Sequence, residues 1–121
     1  MLGIHSLSFQ DYEADDIIGT LQRQVAGDRP TIIVTRDKDL GQLLRENDLM
    51  WDFAIDEYSG PTEIKAKFGV EPHQIPDYLA LAGDSVDNIP GVRGVGAKTA
   101  AALLNYFSDI DFMYERIDEI E

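Results

Sequence analysis

Thr31-Ile32-Ile33-Val34-Thr35-Arg36-Asp37-Lys38-Asp39 is the stretch on which the fold turns. Its first five residues are all β-branched, with no polar alternation. That pattern predicts a strand buried on both faces in a parallel sheet. The two acids follow at the strand's carboxyl end, where open α/β sheets place their ligands. Asp37 and Asp39 are two apart, so extended backbone would put both carboxylates on one face, a reasonable metal half-site. The alternative is a solvated turn in which Asp37 caps a helix through Leu40, Leu43 and Leu44.

Upstream, Ile17, Ile18, Leu21 and Val25 predict a helix over Glu13 to Val25, with Asp11 as N-cap. Gly27 to Pro30 reads as a turn. Downstream, Leu49 to Ile55 reads as a second strand, interrupted by Asp52. A short helix is expected from Ser59-Gly60-Pro61 to Phe68-Gly69, and another from Pro72 to Ala82. Gly83 to Gly96 is a loop rich in Gly, Pro, Asp and Asn. Ala97 to Phe107 and Asp109 to Ile120 read as helices. Two strands are too few, because a doubly buried strand needs neighbours. The expectation is therefore the C-terminal part of a larger α/β fold; the alternative is a small α+β domain with one more strand.

The chain has 121 residues, ten Lys+Arg and 23 Asp+Glu, for a net charge of -13. Such acidity argues against a general nucleic-acid binder, which carries a basic footprint. No apolar run is long enough to span a bilayer, and no secretory leader is evident, so no membrane partner is expected. There is no cysteine, which excludes disulfides, thiolate nucleophiles and Cys-ligated metals. His5 and His73 are far apart and read as surface or capping residues.

The acids fall in three clusters. Glu13, Asp15 and Asp16 either exploit the positive end of a helix or serve as metal ligands. Asp37 and Asp39 form the second cluster. Asp84 and Asp87 sit in Gly83-Asp84-Ser85-Val86-Asp87-Asn88, read either as turn chemistry or as ligands. All three lie at element ends and offer oxygen only, a donor set that favours Mg²⁺ or Mn²⁺.

One stretch differs in kind. From Asn88 to Ser108 there is no acid, and the charges are Arg93 and Lys98. Gly94-Val95-Gly96 lets the backbone approach a ligand and opens the helix at Ala97-Lys98-Thr99, whose free N–H groups suit a phosphate. The alternative is an αα-hairpin whose glycines serve packing.

Glu13-Ala14-Asp15-Asp16, Thr35-Arg36-Asp37-Lys38-Asp39-Leu40, Gly83-Asp84-Ser85-Val86-Asp87-Asn88-Ile89-Pro90-Gly91-Val92 and Gly94-Val95-Gly96-Ala97-Lys98-Thr99-Ala100 occur in that order. In this the chain resembles the 5′-nuclease family, the 5′–3′ exonuclease domain of bacterial DNA polymerase I and the stand-alone flap endonucleases, from about Leu2 to Leu104. The resemblance implies an incomplete, PIN-like parallel-sheet α/β nuclease core over 1–70. A helix–three-turn–helix region, a helix-hairpin-helix type of DNA-binding element, would follow over 71–121. It implies a cytoplasmic, structure-specific 5′-nuclease that hydrolyses phosphodiester bonds in duplex DNA bearing a 5′ end or flap. Two divalent ions would be held by Glu13, Asp15, Asp16, Asp37, Asp39, Asp84 and Asp87, the catalytic acids. Arg93, Gly94, Val95, Gly96, Lys98 and Thr99 would grip DNA phosphates, with a K⁺ ion at the hairpin. The family's first strand, two further acids and its helical arch are expected upstream. This chain alone is therefore expected to be weakly active or inactive, with activity restored by a separate N-terminal nuclease portion. The alternative function is a non-catalytic duplex DNA-binding module.

Overall fold

Hydrogen bonding explains why the helix near the N-terminus starts where it does. The computed structural model describes residues 3–119, so Met1, Leu2, Ile120 and Glu121 lie outside the described residues. Helix α1 spans Ala14–Leu21, with Glu13 rather than Asp11 as N-cap. The Glu13 N–H donates to the Asp16 carboxylate at 3.0 Å, half of a capping box. Asp11 cannot take that role, because its positive φ of 71° turns the chain before the helix begins. The expected helix does reach past Val25, but Gln22–Ala26 is a π turn.

Strand β1, Ile32–Val34, pairs in parallel with β2, Leu49–Asp52, with Ile33 opposite Met50. Strand β3, Glu57–Ser59, pairs antiparallel with β2, placing Trp51 opposite Tyr58. The sheet order is β1-β2-β3, so the extra strand exists. The expected strand to Ile55 stops at Asp52, because residues 53–56 turn, with Asp56 at φ 50°. The stacked rings of Trp51 and Tyr58, 5.6 Å between centroids, hold the pairing.

The expectation that β1 is buried on both faces is corrected. Ile33 faces the core at 6 % exposure, but Ile32 and Val34 are 58 % and 53 % exposed. The strand's composition suits two covered faces; among the described residues only one is covered. Leu49 of β2 shares the bare face.

Helix α2, Pro61–Phe68, ends at Gly69 with φ 80°. A 3-10 turn, Pro72–Gln74, leads into α3, Ile75–Ala82. Helix α4, Ala97–Phe107, follows the long loop, and α5, Ile110–Glu115, follows α4. The last expected helix is broken at Arg116 and resumes as a 3-10 turn, Ile117–Glu119. One buried cluster runs from Ile33 and Met50 through Ile64 and Ile75 to Leu104 and Met113. Buried Gln74 ties the helices together, donating to the carbonyls of Leu104 (3.2 Å) and Ser108 (2.8 Å).

Candidate functional site

The carboxyl end of β1 builds the site. Asp37 is the N-cap of a 3-10 turn, Lys38–Leu43, and accepts from the Asp39 N–H at 3.0 Å. The two acids are thus joined by a capping bond and do not alternate on extended backbone. Thr35 steadies the corner: its hydroxyl accepts from the Asp37 N–H at 3.0 Å. Arg36 leans toward Asp52, the buried carboxylate at the end of the neighbouring parallel strand, at 3.9 Å.

The second pair comes from the loop after α3. Asp84 and Ile89 exchange two backbone hydrogen bonds of 2.8 Å, closing a small knot. Within it Asp84 Oδ1 accepts from the Val86 N–H at 3.1 Å. The knot is possible because the backbone crosses itself at Gly91, with φ 70°. A Cβ there would lie 2.6 Å from the Gly83 nitrogen and 2.7 Å from the Ala82 carbonyl carbon, so no other residue fits.

These two segments meet. Partial burial pushes the Asp39 carboxyl above the usual carboxylate range, and the negative charges of Asp37, Asp84 and Asp87 push it further. The Lys67 ammonium on α2 acts in the opposite direction. Acids some 45 residues apart therefore share one electrostatic field beyond the end of β1.

Glu13, Asp15 and Asp16 stand apart from that field. They are exposed in and before the first turn of α1. Asp15 and Asp16 line a groove of about 270 Å³ with Gly19, Thr20, Arg23, Leu40, Gln42 and Leu43, so its far wall continues the turn that carries Asp39. Among the described residues, no three His, Asp or Glu side chains are grouped closely enough to hold one ion. The donors nonetheless suit Mg²⁺, which keeps several waters and needs only one or two carboxylates from the protein.

The hook is exposed. Gly94 has φ 83° and open space where a Cβ would be, and the Val95 N–H returns to the Val92 carbonyl at 2.9 Å. Gly96 is the N-cap of α4 and supplies no side-chain cap. The first N–H groups of α4 therefore face outward beside exposed Lys98, Thr99 and Arg93. Val95 packs against the core and anchors the hairpin.

Two residues that motif reading passes over matter here. Asp48 is 1 % exposed. It accepts from Gln22 Nε2 (2.8 Å), the Thr31 N–H (2.9 Å), the Arg45 N–H (2.9 Å) and Arg45 Nε (2.8 Å). It thereby ties the end of α1 to the start of β1. Burial alone would raise its pKa, but the bonds from Arg45 and Thr31 outweigh it and hold the carboxyl at about 2. Lys67 is the other, and only its place in space marks it.

Known proteins bear on the whole chain. Residues 1–69 match the family model for the 5′-3′ exonuclease, N-terminal resolvase-like domain. Residues 70–121 match that for the 5′-3′ exonuclease, C-terminal SAM fold. The chain is 45 % identical over 113 residues to a DNA polymerase I of Rhizobium leguminosarum, covering 93 % of this chain and 11 % of that protein. It is 41 % identical over 120 residues to the flap endonuclease Xni of Yersinia enterocolitica, covering 98 % and 48 %. A solved T5 5′-exonuclease with bound zinc has the same fold, with a TM-score of 0.83 at 22 % identity over 91 % of this chain and 41 % of that one. The chain thus spans less than half the length of these relatives.

Proposed function

Because the chain belongs to the 5′–3′ exonuclease family, we propose that it forms part of a structure-specific DNA 5′-nuclease that hydrolyses phosphodiester bonds with two divalent ions, Mg²⁺ or Mn²⁺. The observation that carries this reading is the shared field at Asp39, produced by carboxylates of the loop after α3. Crowded carboxylates repel, and a cation is the natural relief. Asp37, Asp39, Asp84 and Asp87 would hold one side of the site, and Glu13, Asp15 and Asp16 the other. Bound ions would supply Lewis-acid stabilisation of the attacking and leaving oxygens in an in-line displacement. The protein's own residues position the DNA. The outward N–H groups of Lys98 and Thr99, the backbone of Gly94 to Gly96 and the charges of Arg93 and Lys98 would grip duplex phosphates, with a K⁺ ion at the hairpin. Residues 1–70 would serve as the nuclease-core portion and 71–121 as the DNA-binding portion.

The reading includes a cytoplasmic location and, as a partner, a separate N-terminal nuclease portion. The bare face of Ile32, Val34 and Leu49 supports such a partner, since apolar sheet faces are normally covered. Among the described residues no helix is long and apolar enough to cross a membrane. A second reading, a duplex DNA-binding module without catalysis, is favoured by the lack of any three-carboxylate grouping among the described residues.

Thermal unfolding with Mg²⁺ or Mn²⁺ separates the two readings. A metal site stabilises by mass action, so Tm rises with ion concentration. The double variant Asp37→Asn, Asp84→Asn is expected to lose that rise. An equal rise in the variant removes the metal site and leaves the binding module.

A further inference from the structure

We propose that Lys67 is a phosphate-binding residue of the acidic site, engaging a backbone phosphate of DNA laid over Asp37, Asp39, Asp84 and Asp87. The proposal rests on the metal-nuclease reading and adds a residue that none of the quoted motifs contains. The difficulty it answers is physical. Asp39 and the three carboxylates whose charge it feels attract cations but repel a polyanion, so DNA needs a cation fixed beside them.

The packing of α2 provides one. Gly41, in the turn that carries Asp39, has no side chain, and Ile64 of α2 fills the space. A Cβ on Gly41 would lie 3.0 Å from Ile64 Cδ1 and 3.2 Å from its Cγ1. Ile64 is 1 % exposed, so this contact locks α2 onto the turn. Lys67 is three residues further along α2 and lies on the same side of the helix. It is exposed, and its charge reaches Asp39. Its neighbour Lys65 is committed elsewhere, bonded to Glu71 at 2.8 Å. Lys67 makes no ion pair or hydrogen bond among the described residues, so its ammonium is available to a ligand.

This placement has a signature that a structural lysine lacks. The positive charge opposes metal binding and favours phosphate binding, so neutralising it moves the two affinities in opposite directions. Lys67→Gln is expected to lower the Mg²⁺ concentration that gives half of the thermal shift by about two- to fivefold. It is also expected to weaken binding of a 5′-phosphorylated duplex, measured by fluorescence anisotropy at saturating Mg²⁺. The slope of log affinity against log salt should fall by about 0.9, one phosphate contact. Lys67→Arg keeps both properties near wild type. If the wild type responds to Mg²⁺ and Lys67→Gln leaves its half-saturation unmoved, or weakens metal and duplex together, the proposal is overturned. If the wild type itself ignores Mg²⁺, the metal reading fails, and this proposal with it.

Discussion

Replacing Asp48 by Asn tests whether one buried carboxylate holds the elements of the site together. The substitution keeps the shape and removes the charge. Oδ2 of Asp48 accepts from Gln22, the Arg45 N–H and Arg45 Nε, and Oδ1 accepts from the Thr31 N–H. An amide has one oxygen, so either Thr31 or the Arg45–Gln22 group would face an N–H donor. Arg45 is partly exposed and water relieves its lost partner, but the donors left facing an amide without a buried acceptor cost about 2–3 kcal/mol. A domain of this size has only about 5–15 kcal/mol to lose. The pH dependence makes the test specific. The folded carboxyl has its pKa lowered from 3.8 to about 2. Its stabilisation is therefore complete above the unfolded value of 3.8 and drains as pH falls through the folded value. The shift corresponds to about 2 kcal/mol. Urea unfolding of both proteins at pH 7, 5, 3 and 2.5 gives the difference in stability, in which the other acids cancel. The difference is expected to be about 2–3 kcal/mol at pH 7 and to narrow by about 1.5 kcal/mol toward pH 2.5. A difference below about 1 kcal/mol at pH 7, or one that does not change with pH, refutes the assignment of Asp48 as the charged hub.

Three further outcomes are expected. Asp39 has a raised pKa, so its charge costs stability once pH exceeds the folded value; Asp39→Asn should raise the metal-free Tm by roughly a few degrees and reduce the Mg²⁺ response, seen by scanning calorimetry. A lowered metal-free Tm would contradict the crowding at that site. Lys98→Ala should weaken duplex binding alike for different sequences and flatten its salt dependence by about 0.9 in slope, read by anisotropy titrations, without moving the Mg²⁺ half-saturation. Gly91→Ala should cost at least about 2 kcal/mol in urea unfolding, since it adds a positive-φ penalty to a backbone clash.

Local signals were legible and long-range ones were not. Helix α4 starts and stops where its periodicity and Gly96 indicate, at Ala97 and Phe107. The β-branched run forms β1, but its length and burial depend on what lies beside it, and Ile32 and Val34 find no cover among the described residues. Strand β3 is three residues with a single large apolar side chain, Tyr58, and exists because Trp51 stacks on that ring from the neighbouring strand. The acids were visible as clusters. Which clusters act on one another was not, because Asp39 feels Asp84 and Asp87 only through the folding-back of the loop after α3. Asp48 and Lys67 carry no motif; donors from Gln22, Thr31 and Arg45 converge on the first, and the Gly41–Ile64 contact positions the second.

The same folding-back explains how so acidic a chain can present an acid-free hairpin, the proposed phosphate grip. The Val92 N–H bonds to the Leu81 carbonyl at 2.8 Å, across the crossing at Gly91 and Gly83. On one side of this neck lies the knot with Asp84 and Asp87; on the other lies the hairpin from Val92 to Gly96. The neck therefore fixes the spacing between the place where phosphates would be gripped and the place where metal would sit. The proposed nuclease would need that spacing held, because small misplacements of reacting groups are costly. The net charge of -13 averages over this division and conceals it: Asp84 and Asp87 lie just before the crossing at Gly91, and from Asn88 to Ser108 there is no acid.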